Sequence, residues 1–574
     1  MVDLVIRGGV LVDGTGSPSR PADVAVNAGR VVAVGADATV LADGATETVE
    51  VDGLVVAPGF IDVHTHYDAQ ALWDPTLSPS PLHGVTTLFA GNCGFSLAPM
   101  SEEIADYMLR MLARVEGMPL NSLQAGVKPT WSSTAEYLSG FAEGLAANAG
   151  FMVGHSALRR IVLGEESTQR IATDAEVERM CALLRQGLAA GGMGFSSTWS
   201  QTHSDADGVP VPSRHADARE MLALATVVGE FPGTSLEFIP EATGKAFEQD
   251  DLDIMTNMSL AAGRPLNWNL IAPSVENAEL CRGKLKAGTY AASKGARVVA
   301  LTLPSRPSVR VSFASGFVLD ALQGWAEAMV LPLEEKKKVL SDPAHRRRLG
   351  ELAELPSSAG RWGDWKTRYI TETFTPQTAK YQGRAVSEIA AEEGKSPFDA
   401  LVDIALADGL RTTFGDIPKP DTIADWELRA EIIRDPLSLV GGSDAGAHLD
   451  MLGTFNYATE LLAHGVREFG AFSIEEAIKH ITSEPARLYG LRDRGVLTVG
   501  AAADIVVLDP DSVGSEPLST RDDLPANGSR IYAGARGVEH VFVDGTQTVR
   551  SNEFTGALPG KVLRSGADTV SSAW

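Results

Sequence analysis

APGFIDVHTHYDAQALWDPTLSPSPLHGVTTLFAGNC, residues 57–93, sets the plan of the chain. Val55, Val56, Phe60, Ile61 and Val63 make an apolar run that ends in His64-Thr65-His66. Side chains alternate faces along a strand, so His64 and His66, two apart, point the same way. Two imidazoles on one face at a strand end are the raw material of a divalent-metal site. A second apolar run, 85–90, leads into Gly91-Asn92-Cys93-Gly94 and brings a thiol to another strand end. A third, 437–442, delivers Ser443-Asp444. Strand ends that supply His-x-His, a soft ligand and a carboxylate predict a parallel barrel with its chemistry at the carboxyl-terminal rim.

Outward from that stretch, strand-like runs recur at 55–63, 86–91, 151–154, 193–197, 235–239, 266–271, 298–303 and 437–442. Helices with capping-box signatures lie between or after them: Ser133 with Glu136, Thr173 with Glu176, Ser473 with Glu476. Eight strands alternating with helices predict an α/β fold, a (β/α)8 TIM barrel. The connection from 304 to 436 is too long for a βα loop and carries helical stretches, EEKKKVL and AVSEIAAEEG. It reads as an inserted lid over the rim, the alternative being an insertion that packs only on the barrel side. Residues 1–55 and 490–574 are rich in short valine runs and Gly/Asp turns, with Asn27-Ala28-Gly29 as a hairpin signal. The expected organisation is a barrel over 56–489 and one small composite β-sandwich built from both chain ends.

The chain has 574 residues, 44% hydrophobic and 21% charged, the make-up of a globular protein. Its formal net charge of -25 repels phosphate backbones. Lys336-Lys337-Lys338 and Arg346-Arg347-Arg348 are too short to offset it, so no nucleic-acid partner is expected. No window approaches the roughly 18 apolar residues of a membrane span. Three cysteines, Cys93, Cys181 and Cys281, make no disulfide framework, and the first twenty residues lack an apolar core. A cytoplasmic protein with a small-molecule partner is expected, a composition also compatible with a homo-oligomer.

PGFIDVHTHYD, GVTTLFAGNCG, GGSDAGAH, TSEPARLYGL, DRGVLTVGAAADIVVLD and TGALPGKVL together resemble the amidohydrolase superfamily, and within it the N-acyl-D-amino-acid deacylase (D-aminoacylase) branch. The resemblance runs along nearly the whole chain. It implies a metal-bearing barrel, a small β domain from both ends, and a water activated by zinc. His64 and His66 match the first-strand metal ligands. Cys93 matches the cysteine that replaces a bridging carbamylated lysine, and Asp444 the last-strand aspartate that touches the metal and acts as general base. His448 falls in a similar His-x-x-x-x-Gly-Thr-Phe run, and His155 to Arg159 resembles a signature after the third strand. Two departures stand out. The branch carries histidines at the ends of strands five and six, where this chain has Glu237 and Asn269. A carboxylate can bind zinc and an amide binds it poorly, so Glu237 joins the candidate ligands. A lysine that helps hold a substrate carboxylate is replaced by Ala272-Pro273-Ser274.

The physics of the site stands beside the resemblance. A divalent ion lowers the pKa of water toward about 7 and polarises a carbonyl. A nearby carboxylate then takes the proton and returns it to the leaving group. His64, His66 and Asp444 meet that need with one ion, Zn2+ or another divalent metal, and Cys93 is a candidate fourth ligand. Each has a structural alternative: core histidines, a turn aspartate, a small buried hydrophobe for Cys93, and an arginine's partner for Glu237. Trp199 and His203 follow the fourth strand, at the rim where substrate contacts belong. Arg159 or Arg306 is expected to face an anionic substrate, or else to sit in a salt bridge. His83, His215, His345, His464, His480 and His540 read as surface or packing residues. The function expected is hydrolysis of a carbon–nitrogen amide bond in a small N-acyl compound. The alternatives are the same site turned on an ester or lactone, a carbon–carbon bond or a decarboxylation, and a catalytically silent homologue that binds a ligand.

Overall fold

The computed structural model of the protein describes residues 2–242, 245–316, 318–355 and 360–572. Its centre is eight parallel strands: β1 Phe60–Asp62, β2 Val85–Ala90, β3 Asn148–Phe151 continuing as Val153–Gly154, β4 Gly194–Thr198, β5 Ser235–Ile239, β6 Leu266–Ile271, β7 Val298–Thr302 and β8 Ser438–Val440. Each pairs in parallel with the next. The ring closes just beyond the ends of β8 and β1, where Thr65 bridges Ala445 and the His66 N–H donates to the Ala445 carbonyl at 2.7 Å. This is the (β/α)8 barrel that the alternation of runs predicts. Every residue of β2 and β7 is buried, as strands covered by helices on one face and by the barrel lumen on the other must be. Ile61, Val63, Phe89, Val299, Leu301 and Leu439 pack together as one cluster, and Tyr489 stacks on Phe89 with ring centres 3.7 Å apart.

The run 55–63, read as one strand, is two. Val55–Pro58 pairs with Val10–Leu11 and, antiparallel, with Ile505–Leu508, and only Phe60–Asp62 enters the barrel. The break falls at Gly59, where a Cβ would lie 2.1 Å from Thr86 Oγ1 on β2. Only a residue without a side chain can pass that close while the chain changes sheets.

Both chain ends share this second sheet, whose seven strands run from Glu553–Phe554 to Arg20–Pro21 with Val55–Pro58 inside it. A four-stranded sheet of Val2–Arg7, Val24–Asn27, Arg30–Val34 and Ala45–Glu50 faces it. Leu4, Ile6, Val24 and Val26 of one sheet pack with Val56, Ile505, Val507 and Phe542 of the other, which makes a sandwich. The Asn27–Arg30 pair closes the expected hairpin, with Ala28 at φ 48° and Gly29 at φ 73°, the signs of a type I′ turn.

Ser133 and Thr173 cap their helices reciprocally with Glu136 and Glu176. At Ser473 only half of the box forms. Its side chain accepts the Glu476 N–H, but the Glu476 carboxylate turns to Arg434 at 2.6 and 2.9 Å. The long connection after β7 folds on its own core, including Phe313, Trp325, Trp365, Phe398 and Phe414. Residues 317 and 356–359 of it lie outside the described set. EEKKKVL and AVSEIAAEEG lie on the helices Leu333–Ser341 and Val386–Glu393. Its strand Ser308–Ser312 pairs with Leu452–Gly453, a few residues past Asp444, so the insertion is anchored at the rim. Among the described residues no helix is long and apolar enough to cross a membrane.

Candidate metal centre

Three strand ends converge. His64 and His66 extend β1, Cys93 sits in the turn after β2, and Asp444 follows β8. His64, His66 and Cys93 place one ligand atom each within 4.8 Å of the others, all buried. Cys93 Sγ lies 3.4 Å from His64 Nε2 and 3.8 Å from His66 Nε2. Asp444 Oδ1 lies 3.3 and 3.8 Å from the same two nitrogens. Zinc bonds of about 2.0–2.1 Å to nitrogen and about 2.3 Å to sulfur, held tetrahedrally, separate neighbouring ligand atoms by about 3.3–3.6 Å. The two contacts to His64 Nε2 lie at that spacing, and the two to His66 Nε2, at 3.8 Å, stand just beyond it. Asp444 Oδ1, Glu237 Oε1, Asn269 Oδ1 and Nδ1 of both imidazoles are buried without an aligned hydrogen-bond partner. The orphaned Asp444, Glu237 and Asn269 oxygens are what a cation would satisfy, whereas the two Nδ1 atoms face carboxylates, Glu237 Oε1 at 4.0 Å and Glu116 Oε1 at 3.3 Å. The nitrogen, sulfur and oxygen set suits zinc.

The Cys93 turn is held from all sides. Cys93 stands at φ 57°, and its N–H donates to Glu237 Oε2 at 2.8 Å. Asp68 accepts the Gly91 N–H at 2.8 Å. Ser196 accepts the Gly94 N–H at 3.0 Å and donates to the Gly91 carbonyl at 2.5 Å. Glu237, at the expected fifth-strand position, therefore spends one oxygen on the turn and keeps Oε1 4.0 Å from His64 Nδ1. Asn269 meets the other ring nitrogen, Nδ2 to His64 Nε2 at 3.2 Å.

Burial dominates the electrostatics. It pushes Glu237 up to about 8 and Glu116 up to about 7, and holds the Cys93 thiol well above its usual range. Burial would lower His66, but Glu116 and Asp444 beside it raise it to about 9. Burial would likewise raise Asp444, and the two imidazoles overcome it, holding the carboxyl well below the usual carboxylate range. Asp444 also lines a cavity of about 10 Å³ with Tyr67, Leu449, Phe455 and Ile531, on the scale of one water.

The remaining candidates divide. His448 follows Asp444 in the same loop, at φ 47°, with its N–H on the Glu116 carbonyl. His203 donates to or accepts from Thr198 Oγ1 at 3.0 Å, rests on Phe95, and is pushed down to about 3 by burial and by His448 and His66 nearby. Trp199 is half-buried against Phe238. The two arginines expected to meet a substrate anion are committed elsewhere. Arg159 is 0% exposed and ion-pairs with Glu220, which also holds His155 Nε2 at 2.7 Å. Arg306 is held by Asp421 at 2.8 Å and Asp425 at 3.0 Å. In both, the chain's own carboxylates take the charge. His83, read as surface or packing, is buried between Thr459 and the Ala533 carbonyl. Three contributors had been missed. Asp68 stands two residues past His66, and that proximity was its only signal. Ser196 lies inside an ordinary strand, and Glu116 lies 23 residues past Cys93 with no pattern to mark it.

The profile of the amidohydrolase family matches residues 47–549. The N-acyl-D-aspartate deacylase of Alcaligenes xylosoxydans xylosoxydans is 30% identical over 98% of this chain and 95% of its own. The solved N-acyl-D-glutamate deacylase of Bordetella bronchiseptica, complexed with zinc and a phosphonate inhibitor, is 25% identical with a TM-score of 0.64 over 98% of this chain and 99% of that one. A D-aminoacylase structure bearing on the role of a binuclear metal centre, with one-metal activation and second-metal attenuation, is also 25% identical with a TM-score of 0.64 over 98% and 100%. This chain belongs to the amidohydrolase family. It is a metal-dependent hydrolase that acts on carbon–nitrogen bonds other than peptide bonds.

Proposed function

We propose that this amidohydrolase deacylates small N-acylated amino compounds of the N-acyl-D-amino-acid type, with one zinc ion and Asp444 as general base. The observation that carries the reading is the spacing of Cys93 Sγ and Asp444 Oδ1 about the two Nε2 atoms, 3.3 to 3.8 Å. The likeness to the D-aspartate and D-glutamate deacylases supports the substrate class. His64, His66 and Cys93 would hold the ion, with Asp444 beside them and Glu237 Oε1 as a further oxygen. When bound, zinc supplies Lewis acidity that activates water and polarises the amide carbonyl. Asp444 Oδ1 stands 3.3 and 3.8 Å from the two Nε2 atoms and its carboxyl stays ionised, so it is placed to take the water's proton and hand it to the departing amine. His448, His203 and Trp199 would line the approach, and the insertion, whose strand Ser308–Ser312 pairs with Leu452–Gly453 at the rim, would cover it. Three unpaired cysteines suit a reducing cytoplasm.

Protein stripped with a chelator should lose turnover of N-acyl-D-amino acids and regain it with one equivalent of zinc. Asp444→Asn should keep its zinc, measured by elemental analysis, and lose about 10²–10⁴-fold in turnover. Full activity in that variant, or protein that takes up no zinc, would refute the proposal. A second reading, the same site acting on an ester, lactone or carbon–carbon bond, is favoured by Glu237, Asn269 and Ala272-Pro273-Ser274, which alter the surroundings of the ion. Turnover confined to such substrates, still zinc-dependent, would select it.

A further inference from the structure

Glu116 belongs to no motif of the sequence, yet it touches two parts of the candidate centre at once. It follows the helix Glu102–Val115, is 2% exposed, and places Oε1 3.3 Å from His66 Nδ1. Its main-chain carbonyl accepts the His448 N–H. The next residue, Gly117, has a φ of +56°, and a Cβ there would come 3.2 Å from the His448 Cα. The chain is thus pressed against the loop that carries Asp444. Two residues earlier, Arg114 ion-pairs with Asp320 of the insertion.

The two ring nitrogens of His66 have separate tasks. Nε2 faces Cys93 Sγ and Asp444 Oδ1, 3.8 Å from each. For Nε2 to offer its lone pair to an ion, Nδ1 must carry the proton. A carboxylate behind a ligating imidazole fixes that tautomer, holds the ring's angle and strengthens the nitrogen as a donor. Glu237 cannot serve His64 equally, because its Oε2 already holds the Cys93 N–H and its Oε1 stands 4.0 Å from His64 Nδ1.

We infer that Glu116 is the positioning residue of His66. Its carboxylate faces Nδ1 at 3.3 Å, favours the proton on that nitrogen and so aims Nε2 into the cluster, while its carbonyl keeps the Asp444–His448 loop at the matching distance. The inference rests on the zinc reading above. It is tested on the full-length protein, stripped of metal and titrated with zinc against a chromophoric chelator, with the melting midpoint of the stripped protein as the control for folding. Glu116→Gln should bind zinc about 10–100-fold more weakly than wild type at an unchanged stripped midpoint. Glu116→Asp, which keeps the charge, should recover part of that loss. Zinc affinity within two-fold of wild type in Glu116→Gln overturns the inference. So does a loss that tracks a fall in the stripped midpoint, the mark of a merely structural role. Should Glu116→Gln fail to fold, Glu116→Asp is judged by the same two criteria. Wild-type protein that takes up no zinc overturns the zinc reading and the Glu116 role together, whereas normal wild-type uptake with an indifferent variant overturns the role alone.

Discussion

Cys93, Asp444 and His448 share a left-handed backbone, with φ of 57°, 51° and 47°. Such a conformation costs an L-residue of the order of 1–2 kcal/mol. Each of the three N–H groups is tied down in compensation: Cys93 to Glu237, Asp444 to the His64 carbonyl, His448 to the Glu116 carbonyl. Arg159 illustrates the opposite case, a residue whose chemistry is used up inside the wall. Glu220 answers both Arg159 and His155 at 0% exposure. Removing the guanidinium would leave a buried carboxylate short of its partner, a change worth about 3–5 kcal/mol. Arg159→Met should therefore lower the denaturation midpoint markedly and leave the KM of folded enzyme unchanged. A raised KM at unchanged stability would return Arg159 to the substrate.

The turn Gly91–Gly94 works as a single element. Ser196 on β4 closes it, satisfying the Gly94 N–H and the Gly91 carbonyl together. Ser196→Ala leaves both groups buried and unpaired, at about 1–3 kcal/mol each. The thiol should then swing more freely. In stripped protein, alkylation of Cys93 followed by peptide mass spectrometry should quicken several-fold, with Cys181 and Cys281 unaffected. No change at Cys93 would mean that Asp68 and Glu237 suffice to hold the turn. Elements were legible in the sequence to different degrees. The runs at 235–239 and 266–271 coincide with β5 and β6, because a barrel strand covered on both faces reads as a nearly continuous apolar run bounded by turns, interrupted in β5 by Glu237. The run at 55–63 did not show its break, since what divides it is contact with Thr86 on another strand. The Ser473 box was legible by half: the N-cap is local, but the partner that draws Glu476 away is Arg434, 42 residues off.

Across the whole molecule, the centre concentrates acids where little water reaches. Burial raises Asp62 to about 7, Glu116 to about 7 and Glu237 to about 8, from 3.8, 4.5 and 4.5. In the unfolded chain these groups have already lost their protons at pH 6.5. The folded chain is still losing them between 6.5 and 8, and each loss leaves a charge without water around it. Stability of stripped protein should therefore fall as pH rises across that window. His66, raised to about 9, acts in the same direction, because its favourable charge begins to disappear toward the upper end. Zinc should flatten the dependence by supplying the missing positive charge. The check is a set of melting midpoints at pH 6.5 and 8 with and without chelator. Equal slopes in the two series would contradict the buried cluster.

Strand periodicity and the order of His-x-His, Gly-Asn-Cys-Gly and Ser-Asp were enough to specify the barrel, its rim, and four of the side chains that meet there. That information is local: alternation decides which way a strand residue points, and a strand's end decides which side of the barrel it serves. Folding alone settled which carboxylates surround the ligands, which arginines are already answered, and where the first strand leaves one sheet for another. Glu116, Glu220 and Thr86 act on residues 27 to 65 positions away. Electrostatic and steric contacts depend on separation in space, and only the closed barrel brings those groups within a few ångströms of each other.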